Sequence, residues 1–164
     1  MGPEPDSNIF LTILILCLFT FLNAFFVLCE SAILNVNVHS MNKRAEEGNQ
    51  RAKRILQLMN NPKTITTHQV LTTMFAFFAC AFAYQKFAPS LIGWMETFMP
   101  IHHTVLSGFA LVIIAFILLI FFLIFGVMIP RRIGIFRADG VAMRVSGIYK
   151  GVCILLFPIT WILY

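Results

Sequence analysis

The stretch Val105-Leu-Ser-Gly-Phe-Ala-Leu-Val-Ile-Ile-Ala-Phe-Ile-Leu-Leu-Ile-Phe-Phe-Leu-Ile-Phe-Gly-Val-Met-Ile129 decides the fold. Its 25 residues carry no ionisable side chain, and the run stops abruptly at Pro130-Arg131-Arg132. Crossing a hydrocarbon core of about 30 Å as a helix takes roughly 20 apolar residues. Working outward, Ile9 to Cys29 is a second such run, interrupted only by Thr12, Thr20 and Asn23. A third segment, Thr66 to Tyr84, opens with Thr66-Thr67-His68-Gln69 and then turns rich in Phe and Ala. The pattern predicts an all-α integral membrane protein. Three transmembrane helices, about 9–36, 66–84 and 105–129, are joined by juxtamembrane helices.

Composition agrees. The chain is 59% hydrophobic and only 12% charged, with a mean hydropathy of +0.86. A soluble domain carries about 25% charged residues. Residues 1–8 form an acidic leader with Glu4 and Asp6 but no basic residue. The apolar run behind it is too long for a signal-peptide core, so cleavage is not expected. Cys17, Cys29, Cys80 and Cys153 match neither a zinc nor a CxxC spacing. They are expected as small buried hydrophobes.

The basic residues are localised. Lys43, Arg44, Arg51, Lys53, Arg54 and Lys63 lie between the first two runs, and Arg131, Arg132, Arg137, Arg144 and Lys150 follow the last. Between the second and third stands only Lys86. Lysine and arginine remain on the cytoplasmic side of short loops. The N-terminus and 86–104 are therefore expected outside, with 39–64 and everything after Pro130 inside, in a plasma or inner membrane. These side chains then face anionic lipid headgroups. That, and not nucleic-acid binding, accounts for the net charge of +5.

Within 42–60, Asn42 is the expected cap, and Ala52, Ile55, Leu56 and Met59 recur at helical spacing. With the basic residues, that stripe predicts an interfacial helix, ended by Asn60-Asn61-Pro62. Phe87 to His103, containing Pro89, Gly93, Trp94 and Pro100, is expected as an outer loop or short interfacial helix. Pro130 is expected to end or bend the third crossing. Interfacial helix is expected over about 141–164, after a turn at Arg137-Ala-Asp-Gly140. Val152 to Tyr164, interrupted by Pro158, fits either an interfacial helix or a partial fourth crossing.

The first crossing turns polar late, at Asn23, Glu30, Ser31 and Asn35. Asn23 and Glu30, seven apart, share a helix face. Polar groups in lipid are costly, so the stripe should face protein or a water-filled cavity.

Two ordered stretches carry a resemblance. Glu30-Ser-Ala-Ile-Leu is followed by Glu47-Gly48, Ala52, Arg54-Ile-Leu, Leu58-Met59, Pro62 and Thr67-x-Gln69-Val. Phe125-Gly-Val-Met-Ile-Pro130-Arg131 is followed by Phe136-Arg-Ala-Asp-Gly-Val-Ala142 and Phe157-Pro158-Ile-x-Trp161. Over roughly 25–163 the chain resembles the membrane (DUF21) domain of the CorC/CNNM magnesium transporter family. The resemblance implies that 9–164 is one DUF21-like domain: three crossings, an outside N-terminus, a belt of short cytoplasmic helices and a homodimer. It also implies Mg2+ bound between the helices and moved by alternating access. An ATP-binding CBS pair usually follows in that family. The expectation for this sequence is a membrane domain with no CBS module and no nucleotide regulation in cis.

The sequence departs from the family pattern at informative places. The family's third crossing ends Gly-Glu-apolar-apolar-Pro-Lys, and that glutamate is a metal ligand; here Val127 takes its place. Thr72 and Thr73 stand where the family has asparagines, and Asn35 where it often has serine or threonine. Magnesium demands oxygen ligands and dehydrates reluctantly. Threonine and asparagine supply oxygens, but neutral ones. The candidate cavity-lining and metal-contacting residues are Asn23, Glu30, Ser31, Asn35, Thr72, Thr73 and Gly126. Glu30 is the only acid in the embedded segments, and bonding to a neighbouring helix is its alternative role. His68 is a lesser candidate for a softer metal or a pH response, and His102-His103 for a transition metal. Nothing resembles a nucleophile–base pair or a phosphate loop, so no enzyme is expected. Two functions stand: a divergent cation transporter of the Mg2+ type, or a non-transporting accessory or assembly subunit of a larger membrane complex.

Overall fold

The computed structural model describes residues 6–98 and 102–155. Residues 1–5 of the leader, Pro100 and the Phe157–Trp161 stretch lie outside the described residues, as does the choice between an interfacial helix and a partial crossing near the C-terminus. Seven α-helices follow in order: α1 Asp6–Leu34, α2 Val38–Glu46, α3 Gln50–Met59, α4 Pro62–Glu96, α5 His103–Phe121, α6 Ile129–Phe136 and α7 Ala138–Leu155. A π-helical segment, Phe122–Met128, joins α5 to α6 without a break. No strand occurs among the described residues.

Among the described residues three spans are long and apolar enough to cross a bilayer: Ile9–Leu34, Pro62–Glu96 and His103–Phe136. Their surfaces support the same conclusion. Phe10 is 73% exposed and Phe77 is 72% exposed, as only lipid would tolerate across so many large side chains. The chain is an integral membrane protein.

The packing has two centres. At the arginine-rich end, Cys29, Ile33, Met41, Ile55 and Tyr149 gather α1, α2, α3 and α7 into one core. Toward the other end, Ala83, Ala88 and Ile92 of α4 meet Leu106, Ala110 and Ile114 of α5. Small residues bring those two helices close. Helix α4 thus divides its contacts, packing on α1 and on α5.

The belt is two helices, not one. Gly48 adopts φ +89°, a left-handed conformation that terminates α2 at low cost only for glycine. Asn42 lies inside α2 and caps nothing. The caps are Asn37, whose Oδ1 accepts from the Ser40 N–H at 3.1 Å, and Asn49, whose Oδ1 accepts from the Arg51 N–H at 3.0 Å. Asn61 caps α4 in the same way, with Pro62 in the first turn, where its missing N–H is harmless.

Two other expectations change. Helix α4 does not end near Tyr84 but runs 35 residues to Glu96 with Pro89 inside it. At 1.5 Å per residue this is about 52 Å, well beyond the hydrocarbon core. The stretch from Phe87, expected as an outer loop or short interfacial helix, is therefore part of α4 as far as Glu96. Of the two outcomes expected at Pro130, an end to the helix does not occur: the chain stays helical to Phe136, with a π-helical segment before α6 and Pro130 in the first turn of α6. The turn expected over Arg137–Gly140 reduces to Arg137, because α7 begins at Ala138. Cys29 is buried as expected, but Cys17 is exposed on the lipid side.

Helix α6 lies against α1 at Gly134. A Cβ there would stand 2.8 Å from the Leu28 carbonyl oxygen, 2.8 Å from Ser31 Cβ and 3.1 Å from the Ala32 nitrogen. Backbone atoms cannot yield as a flexible side chain does. Gly134→Ala is therefore expected to lower stability by about 1–3 kcal/mol, read as a fall in melting temperature in detergent. Gly108→Ala, with open space around its Cβ, should leave it unchanged or raised.

Candidate functional site

The site begins with a missing hydrogen. In an α-helix the carbonyl of residue 126 would accept from the N–H of residue 130, and Pro130 has none. The chain widens into its π-helical segment just before this proline, as such segments often do at functional sites. The Gly126 carbonyl accepts from Asn23 Nδ2 of α1 at 3.0 Å. Gly126 permits this approach: a Cβ at 126 would lie 2.8 Å from Asn23 Nδ2. Asn23 is 2% exposed, and its Oδ1 has no hydrogen-bond partner.

Asn23 also lines a cleft of about 470 Å³ between α1, α4 and the third crossing. Thr72 and Thr73 enter it from α4, and Val127 from the π-helical segment. The rest of the wall is apolar, including Ala76, Leu118 and Phe122. The Thr72 hydroxyl donates to the carbonyls of His68 at 3.0 Å and Gln69 at 3.2 Å. With its hydrogen turned into its own helix, its oxygen lone pairs are left to face a ligand.

The structure thus brings together Asn23, Thr72, Thr73 and Gly126, and leaves the other candidates out. Glu30 is not in the cleft. Its Oε2 accepts from His68 Nε2 at 3.0 Å, both side chains being about nine-tenths buried. This is the bond to a neighbouring helix that was the alternative role for Glu30. His68 Nδ1 has no partner. Ser31 is buried where α6 packs on α1. Asn35 turns back on its own helix, Nδ2 donating to the Ser31 carbonyl at 2.8 Å. No group of three or more His, Cys, Asp or Glu able to hold a metal occurs among the described residues.

Sequence reasoning placed Glu30 and His68 separately. They are 38 positions apart on different helices, so no spacing links them. The π-helical segment was also unforeseen; its one signal is proline four residues after a glycine that faces an intramembrane asparagine. Beneath the site, the Tyr149 hydroxyl donates to the Thr64 carbonyl at 3.4 Å, and burial holds that phenol far above its ordinary titration range.

The family model for the cyclin M transmembrane N-terminal domain, CNNM, matches residues 13–164. No curated protein matches the chain significantly.

The Glu30–His68 contact is measurable by a double-mutant cycle of Glu30→Gln and His68→Leu on unfolding in detergent. A bond to a charged group predicts a coupling of about 1.5–3 kcal/mol. Additive single effects would show that the two side chains are merely neighbours.

Proposed function

Because the chain belongs to the CNNM family of transmembrane domains, we propose that it moves cations across its membrane through the cleft at Asn23. The observation that carries this reading is the unpartnered Asn23 Oδ1, buried near the midpoint of the Ile9–Leu34 span. An unsatisfied polar oxygen in hydrocarbon costs free energy, and a cation between the helices would satisfy it. Transporters often place their sites near the midplane, where a helix departs from regular α geometry. The π-helical segment supplies that departure. Magnesium is the cargo that family membership suggests. In this proposal the N-terminus is outside, the arginine-rich belt rests on anionic lipid at the cytoplasmic face, and the domain works as a homodimer.

One observation favours a second reading. Val127 places an isopropyl group in the cleft where the family resemblance calls for a carboxylate. A domain that kept the fold and lost its ion site would serve as an accessory subunit of a larger membrane complex.

Uptake into liposomes containing the purified full chain separates the two. Cation uptake that falls about tenfold or more in Thr73→Val is the transport outcome, the ratio that about 1.4 kcal/mol at the site represents. A folded protein that moves no cation, and that leaves mild detergent with a stoichiometric partner, establishes the accessory reading.

A further inference from the structure

Resting on the transport reading, we infer that the cleft takes a singly charged alkali cation and not magnesium. The argument is one of charge. The side chains that bring oxygen to the cleft are Asn23, Thr72 and Thr73, all neutral. Val127, in the same wall, offers no oxygen at all. The solvation energy lost on entering a membrane grows with the square of the charge, about fourfold more for a divalent ion. Magnesium meets that loss with carboxylates and retained waters in near-octahedral geometry. Rings of neutral carbonyls and hydroxyls replace the weaker hydration of monovalent ions.

The one embedded carboxylate does not repair the deficit. Glu30 lies seven residues beyond Asn23 on α1, about 10 Å along the helix axis, outside any shared coordination sphere. It is also occupied, accepting from His68 Nε2 at 3.0 Å. The rest of the cleft wall is hydrocarbon, including Ala76, Phe77, Leu119 and Leu123, which offers a hydrated divalent ion's polar shell no hydrogen-bond partner. The donor set therefore fits sodium or potassium. It does not fit the cargo that family membership suggests.

The test uses the full chain in liposomes, with radioactive sodium, rubidium as the potassium surrogate, and magnesium, each against choline at fixed ionic strength. The expected result is uptake of sodium or rubidium at least ~10-fold above that of magnesium. The same alkali ion should raise the melting temperature in detergent where choline and magnesium do not. Val127→Glu should reverse the preference, gaining magnesium uptake and losing alkali uptake. Thr73→Val, whose fold does not rest on a helix–helix bond as Asn23 does, should lose alkali uptake and stabilisation together. Magnesium uptake by the native chain without alkali uptake would overturn this inference and leave the transport reading standing. A folded protein that takes up no cation and is stabilised by none would overturn both.

Discussion

The hydrogen bond from Asn23 Nδ2 to the Gly126 carbonyl ties the first crossing to the third between two buried residues. Its setting is the turn before Pro130, which has no N–H to give back to the preceding turn, and a carbonyl left without a partner in hydrocarbon carries a penalty of about 1–3 kcal/mol. The π-helical widening and the asparagine answer one constraint together. Gly126 eases the approach, since a Cβ there would stand 2.8 Å from Asn23 Nδ2 and push the asparagine aside. Asn23 lines the cleft together with Thr72 and Thr73, which gives an otherwise apolar wall its polar corner.

A second set of contacts holds the arginine-rich end rigid beneath that corner. Gly134 lets α6 touch the backbone of α1. Asp139, in the first turn of α7, accepts from the Asn37 N–H at 3.0 Å and so fixes the α1–α2 turn. Tyr149, 1% exposed, reaches the Thr64 carbonyl at the start of α4. Each contact joins residues distant in sequence, and together they fix where the three crossings leave the membrane. At the other end, small residues of α4 pack against α5.

The fold was legible where a single physical property extends over many residues. Twenty-five uncharged residues can do little but span a bilayer, and the sorting of lysine and arginine marked one end of all three crossings. The polar stripe on α1 was also legible, since polar side chains in lipid must face something. What each one faces was not. Asn23 finds the third crossing, Glu30 finds His68 on the second, and Asn35 finds its own backbone. These choices depend on interhelical geometry that a 3.6-residue period does not encode. The missed boundaries have the same cause: Pro89 and Pro130 suggest helix ends locally, while tertiary packing carries the helix past both.

The separation of Glu30 from the cleft bears on how an ion site in this fold acquires its charge. To serve as a ligand, Glu30 would have to abandon His68. Removing one partner from a buried pair costs about 3–5 kcal/mol, because the group left behind has no solvent. His68 is already short one bond at Nδ1, so losing Nε2 as well would leave a buried imidazole with neither nitrogen satisfied. The α1 carboxylate is held in place by that penalty. Residue 127 is different: it lies in the cleft wall on the π-helical segment and holds no partner that must be broken. On the transport reading proposed above, the charge of the cleft is therefore decided at position 127, and Val127 leaves its lining neutral.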